Sequence, residues 1–275
     1  MGFKLDGPVL LAGAGKMGAA MLSGWLARGL DPSSVVIQEP NLSGEAAGIV
    51  AKHHIRTSGT VAALDKPPAV IVMAVKPQVM DGVFSGLAKS AGPDTVVLSI
   101  AAGRSIASFE KHLAPGIAVV RAMPNTPAAI GRGITGAVAN GHVSLAQREA
   151  CEALLSAVGD VVWLDDEGLI DAVTAVSGSG PAYVFLLAEC LAEAGRQAGL
   201  DGDTAMRLAR ATIAGSGELM RQSPLSAETL RKNVTSPGGT TAAALGVLMR
   251  SPGGLQELMS EAVAAAKNRG RELGA

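Results

Sequence analysis

Short β-branched runs alternate with longer alanine-rich segments through the first 165 residues of the chain. Val9–Ala12, Val35–Gln38, Ala69–Val75 and Val96–Ile100 are the first four strand candidates, followed by Ala118–Arg121, Ile134–Ala139 and Val161–Leu164. Most lack the polar alternation of a strand with one wet face, so they read as strands covered on both sides in a parallel sheet. Helix-like stretches at Met17–Arg28, Gln78–Lys89 and Ile106–Leu113 separate the early strands. This β-α-β alternation predicts an α/β fold with a doubly wound parallel sheet.

The texture changes after Leu164. Asp165-Asp166-Glu167-Gly168 is an acidic break, and the strand-like runs then stop. Helices are predicted over Pro181–Gly199, Thr204–Met220, Ala227–Val234, Thr241–Arg250 and Leu255–Arg271. Pro181 belongs in the first turn of its helix, and Gly199 marks its end. Asp203 is the expected N-cap of the next helix. The pattern thus divides into an α/β domain over residues 1–164 and an all-α domain over 165–275. The helical segments carry wide apolar faces, which must bury against the first domain or against another subunit; symmetric self-assembly is common among soluble proteins.

Composition narrows the function classes. Apolar residues make up 48% and charged residues 17% of the 275, which excludes a disordered chain. The 23 basic and 24 acidic residues leave a net charge of −1, so nothing marks a nucleic-acid or anionic-membrane partner. Cys151 and Cys190 cannot build a disulfide framework, and both fall in apolar helical stretches where a cysteine is expected to be a small buried hydrophobe. The uncharged run Ala172–Ala188 is shorter than the roughly 20 residues of a membrane span and is broken by Ser177-Gly178-Ser179-Gly180-Pro181. Met1–Asp6 has no signal-peptide layout, so a cytoplasmic location is expected. No His, Cys, Asp and Glu spacing fits a metal site, and no metal is expected.

The strongest chemical signal is Gly13-Ala14-Gly15-Lys16-Met17-Gly18, which follows the first strand and opens a helix. Gly13 suits the tight turn, Gly15 the close approach of a pyrophosphate and Gly18 the packing of helix on strand, as in a Rossmann-like dinucleotide domain. A tight turn without a ligand is the bland alternative. Glu39, about 20 residues beyond Gly18, stands where an acidic residue meets the adenosine ribose. A carboxylate there leans towards NAD, while the choice between NAD and NADP stays open. Ala74-Val75-Lys76-Pro77 and Ser99-Ile100-Ala101-Ala102-Gly103 close two further strands, at the end of the sheet where ligands sit.

Three polar islands follow. Arg121-Ala122-Met123-Pro124-Asn125-Thr126-Pro127 is held rigid by its prolines. Val176-Ser177-Gly178-Ser179-Gly180-Pro181-Ala182-Tyr183 reads as a hydroxyl-rich loop entering a long helix. Thr235-Ser236-Pro237-Gly238-Gly239-Thr240-Thr241 opens a later helix with clustered backbone N–H groups, which suits a carboxylate. All four histidines, His53, His54, His112 and His142, lie in the first domain, and from Leu164 onward the lysines are Lys232 and Lys267. Ketone reduction calls for a good proton donor such as His or Lys. Hydroxyls and amides suit an imine acceptor, which can arrive already protonated.

These six blocks, in this order and over about residues 8–271, resemble pyrroline-5-carboxylate reductase, the Ser-Gly-Ser-Gly-Pro-Ala and Ser-Pro-Gly-Gly-Thr-Thr segments most specifically. The resemblance implies the last step of proline biosynthesis, hydride transfer from NAD(P)H to the C=N of 1-pyrroline-5-carboxylate. It also implies an obligate homodimer through the helical domain, often built into a decamer, with each site completed by the partner. By the same resemblance Gly238, Gly239 and Thr240 hold the substrate carboxylate, Thr241 bonds the ring nitrogen and relays a proton, and Val176 and Ser177 line the pocket. Ala74, Lys76, Pro77, Ala101, Ala102 and Asn125 meet the nicotinamide half of the cofactor, with Val75 and Gly103 in the same blocks. Two departures stand out. Gln38-Glu39 occupies the place where many members accept a 2′-phosphate, and in Gln222–Val234 the acidic residue and His-Pro pair of many members cannot be carried over. The competing readings are a hydroxyacid dehydrogenase, which needs a lysine that Pro181–Gly199 lacks, a non-catalytic dinucleotide sensor, and a reductase of the six-membered cyclic imine.

Overall fold

The computed structural model describes residues 3–60 and 64–274; Met1 and Gly2, part of the segment read for a leader, lie outside the described residues. The strands are β1 (Val9–Ala12), β2 (Val35–Gln38), β3 (Arg56–Ser58), β4 (Val70–Met73), β5 (Val96–Ser99), β6 (Ala118–Met123), β7 (Gly133–Ala139) and β8 (Gly159–Trp163). The helices are α1 (Lys16–Ala27), α2 (Gly44–His53), α3 (Met80–Leu87), α4 (Ile106–Glu110), α5 (Leu145–Ser156) and α6 (Ile170–Val173), then α7 (Gly180–Gln197), α8 (Gly202–Gln222), α9 (Ala227–Asn233), α10 (Thr240–Leu248) and α11 (Leu255–Gly274). The described residues form two compact units: one runs to Gly178 and takes in the chain from Ala266 onward, the other is Ser179–Ala265.

The first unit is built on an eight-stranded sheet in the order β3-β2-β1-β4-β5-β6-β7-β8. Strands β1, β2, β4 and β5 are buried along their whole length because alternate side chains enter cores on opposite faces. Val9 and Leu11 join Met21, Leu22 and Trp25 on one face, whereas Leu10 and Ala12 join Met73, Phe84 and Phe109 on the other. Trp25 is fully buried and its indole N–H donates to the Leu154 carbonyl at 2.9 Å, which fixes α1 against α5.

Two features depart from the sequence reading. β3 is Arg-Thr-Ser, an exposed edge strand without an apolar run, and it pairs in parallel with β2. β7 runs antiparallel to β6, so the sheet is mostly parallel, with β8 parallel to β7. The cause is the short Thr126–Ile130 turn between β6 and β7, closed by Gly131 in the left-handed region. A parallel return needs a crossover of a dozen or more residues, and this turn has no room for one.

In the second unit α7 and α8 pack through small side chains, and its buried core consists of Ala192, Ala205 and Ala209. Pro181 sits in the first turn of α7, and Gly199 (φ +104°) ends it while Leu200 N–H caps the Gly195 carbonyl. The N-cap of α8 is Asp201 and not Asp203: its carboxylate accepts Thr204 N–H at 2.9 Å, because the helix begins earlier than its apolar pattern. That bond holds the Asp201 carboxyl below the usual carboxylate range.

The Val176–Tyr183 segment, read as a loop, is helical. α6 passes through a π-helical turn at Thr174–Gly178 before α7 begins. The hydroxyls that favour a loop are instead absorbed, since Thr174 Oγ1 donates to the Ile170 carbonyl and Ser177 Oγ to the Val173 carbonyl, at 2.9 and 3.0 Å. The helical run Glu167–Gln197 is, among the described residues, long and apolar enough to cross a membrane by length and composition. Cys151 is buried, which pushes its thiol up to about 12. Cys190, expected to be buried, is exposed on α7 because the outer face of that helix is uncovered in the single chain.

Candidate functional site

The carboxyl ends of β1, β2, β4, β5 and β6 bring one set of sequence-predicted residues to the same rim of the sheet. Ladder hydrogen bonds continue past the strand ends and hold it: Gly13 N–H donates to Gln38 O at 2.9 Å, Ala74 N–H to Ala12 O at 2.8 Å and Ile100 N–H to Met73 O at 3.1 Å. The strand order turns back between β1 and β4, the place where open α/β sheets bind their ligands.

Gly13 has φ +92°, and a Cβ there would lie 2.7 Å from the Ala74 carbonyl oxygen. A Cβ on Gly18 would overlap the Gly13 carbonyl, so helix and turn touch backbone to backbone. Gly15 differs: it is the N-cap of α1, no side chain caps the helix there, and among the described residues none but its two chain neighbours comes within 4 Å of its Cβ position. Open space in front of an uncapped helix start is what an anionic pyrophosphate needs.

At the end of β2, Glu39 is fixed against the glycine-rich turn. One carboxylate oxygen accepts Ala14 N–H and the other Asn41 N–H, both at 3.0 Å. The Ala14 amide is therefore given to Glu39. Gln38, beside Ala12 in the sheet, is 8% exposed, and its Oε1 is buried with no partner among the described residues. A buried acceptor without a donor is costly, and a hydroxyl or amine of a bound ligand would satisfy it. These features fit a dinucleotide.

Lys76 is exposed where the chain leaves β4, Ala101 is buried, and Ala102 is exposed after β5. The sequence reading missed Arg104, whose guanidinium donates to the Pro77 carbonyl at 3.0 Å and to Asp81 at 2.7 Å, tying the β4 and β5 rims together. It also missed the pairing of Arg121 with Glu167. Glu167 Oε1 accepts from Arg121 Nη1 and from Ile106 N–H, both at 2.8 Å, which anchors the acidic break to β6 and to the start of α4. An arginine inside an apolar strand was the signal; its partner lies 46 residues away. Asn125, at the rim of β6, is 9% exposed and accepts Ile134 N–H at 3.0 Å while donating to the Ser177 carbonyl at 3.2 Å. Val176 is 61% exposed, and Ser177 has its hydroxyl proton engaged by Val173.

In the helical unit, α10 opens at Gly239 without a side-chain cap. Gly238 is left-handed (φ +71°), and Gly239 N–H bonds back to Ser236 O at 3.1 Å. Thr240 is exposed and Thr241 half-buried in the first turn. The arrangement offers first-turn N–H groups and two hydroxyls to an anion. No metal-ligating cluster occurs among the described residues.

The family profile described as pyrroline-5-carboxylate reductase dimerisation matches residues 167–273, and that described as NADP oxidoreductase coenzyme F420-dependent matches residues 9–103. Pyrroline-5-carboxylate reductase of Pseudomonas aeruginosa is 41% identical over 96% of this chain and 96% of that protein. The chain belongs to the pyrroline-5-carboxylate reductase family. The solved structure of a pyrroline-5-carboxylate reductase from Coxiella burnetii superposes with a TM-score of 0.90 at 36% identity, covering 98% of this chain and 99% of the other. That of Plasmodium falciparum pyrroline carboxylate reductase, with NADP bound, gives 0.80 at 26% identity over 98% and 99%. As a member of this family the chain is an NAD(P)-dependent oxidoreductase that reduces 1-pyrroline-5-carboxylate to L-proline.

Proposed function

We propose that residues 1–164 hold the reduced dinucleotide and that residues 165–275 hold the imino acid and a second copy of the chain. The convergence of five strand ends on an open, uncapped α1 start carries the cofactor assignment. Gly13, Gly15 and Gly18, with Lys16 and Met17 in the first turn, cradle the pyrophosphate, and Gln38 and Glu39 face the adenosine ribose. Ala74, Val75, Lys76, Pro77, Ala101, Ala102 and Gly103 border the nicotinamide half. When bound, the reduced nicotinamide supplies the hydride that adds to the C=N carbon. The backbone N–H groups of Gly238, Gly239 and Thr240 hold the substrate carboxylate. The Thr241 hydroxyl donates to the ring nitrogen and relays the proton that makes the secondary amine.

Glu39 favours NADH, because its fixed carboxylate accepts a ribose hydroxyl and repels a 2′-phosphate. Glu39→Ser should raise the NADPH/NADH ratio of kcat/KM by about tenfold, a shift of about 1.4 kcal/mol. An unaltered ratio would remove Glu39 as the determinant.

The helical unit buries only three alanines of its own while exposing Phe185, Leu186, Leu187 and Leu191 along α7 and Val247 and Leu248 on α10. A set of large apolar side chains this extensive marks an interaction surface. A second copy covers it, which also accounts for the membrane-length apolar run, and the dimer is the unit from which a decamer would be built. The protein works in the cytoplasm, with no nucleic-acid or membrane partner. Phe185→Asp should reduce the mass seen by light scattering to that of one chain and abolish proline formation. An unchanged mass would place the interface elsewhere.

A further inference from the structure

The Ser177 carbonyl lacks the i+4 donor of an ordinary α-helix. In an α-helix it would accept from the N–H four residues on, and that residue is Pro181, which has none. Within the α/β unit it accepts instead from Asn125 Nδ2 at 3.2 Å, while Asn125 Oδ1 takes Ile134 N–H at 3.0 Å. Both ends of one buried carboxamide are thus spent on backbone groups, one at the entry to β7 and one in the π-helical turn. Two residues before Asn125, the Met123 methyl occupies the space that a side chain on Gly178 would need, 2.9 Å from its Cβ position. The β6 rim and the turn are therefore locked by one hydrogen bond and one close packing contact.

We propose that Asn125 is a positioning residue for the reduction: through the Ser177 carbonyl it sets the Val176–Ser177 turn in register with the cofactor rim of β6. This rests on the reading of Val176 and Ser177 as pocket-lining residues. Asn125 then works on the substrate side, through another residue.

Asn125→Asp keeps an acceptor for Ile134 and replaces the donor facing Ser177 with a second acceptor. Displacement of a positioned group costs rate steeply, so kcat/KM for 1-pyrroline-5-carboxylate should fall about tenfold. The Kd for NADH, read by its fluorescence, should stay within about twofold of the wild type. Pro181→Ala restores an N–H four residues beyond Ser177, the donor that an α-helical turn would offer its carbonyl. The double variant should therefore recover about threefold over Asn125→Asp alone, a coupling that independent sites do not show. Asn125→Ser, too short to reach Ser177, reads the same quantities should the aspartate variant fail to fold. A cofactor Kd that rises in step with the loss of kcat/KM would overturn the proposal, as would strictly additive effects of the two substitutions. Wild-type turnover is measured alongside: its absence would overturn the functional reading and this proposal with it, whereas wild-type activity with additive variants would overturn the proposal alone.

Discussion

Replacing Gly15 with threonine is expected to weaken NADH binding by about 100-fold, close to 3 kcal/mol, while leaving the chain folded. Apart from its two chain neighbours, no described residue lies within 4 Å of the Cβ position, and the backbone there (φ −68°, ψ −168°) is open to any residue. Threonine and glycine are about equal as N-caps, so the helix start loses little. What the side chain would enter is the space assigned to the pyrophosphate. Gly18→Ala provides the contrast, because its Cβ would overlap the Gly13 carbonyl, and overpacking of this kind costs about 1–3 kcal/mol of stability. Thermal unfolding beside NADH titration separates the two. A Gly15→Thr protein that binds NADH as well as the wild type would move the pyrophosphate away from α1.

Removal of the Thr241 hydroxyl should have the largest effect on turnover. Thr241→Ala is expected to lower kcat by about 100- to 1,000-fold, the range of a lost proton donor, with the Kd for NADH unchanged. The hydroxyl stands in the first turn of a helix whose start no side chain caps, beside the amides that suit a carboxylate. Of the other hydroxyl-bearing residues assigned to the pocket, Ser177 has its proton committed to the Val173 carbonyl, and Thr240 is assigned to the carboxylate. Thr241→Ser should retain most of the activity. Equal kcat for the alanine variant and the wild type would strip Thr241 of its role.

The legible parts of this chain are those set by local pattern. β1, β2, β4 and β5 are buried at every position and apolar save for Gln38 and Ser99, because both faces of the sheet are covered, and that leaves a clear mark. The glycine-rich turn carries its own geometry, visible as the left-handed Gly13 and the crowded Gly18. Distance and direction are written less locally. β3 has no apolar run since an edge strand of three residues needs only one partner, and the reversal at β7 follows from the shortness of a turn. The hydroxyls of Thr174 and Ser177 suit a loop or a helix equally until their i−4 carbonyls are seen to accept them. Asp203 was the expected cap because it adjoins the apolar pattern, yet Asp201 reaches the free N–H. The pairs Arg121–Glu167 and Asn125–Ser177 join residues 46 and 52 apart, and nothing in either neighbourhood names the other.

The most direct test follows a hydrogen. NADH carrying deuterium on both hydrogens at nicotinamide C4 is incubated with the protein and 1-pyrroline-5-carboxylate, and the product is examined by mass spectrometry and NMR. The account predicts proline bearing the deuterium on the carbon that was double-bonded to nitrogen, with NAD formed in equal amount. Proline without the label, or oxidised cofactor without proline, would contradict it.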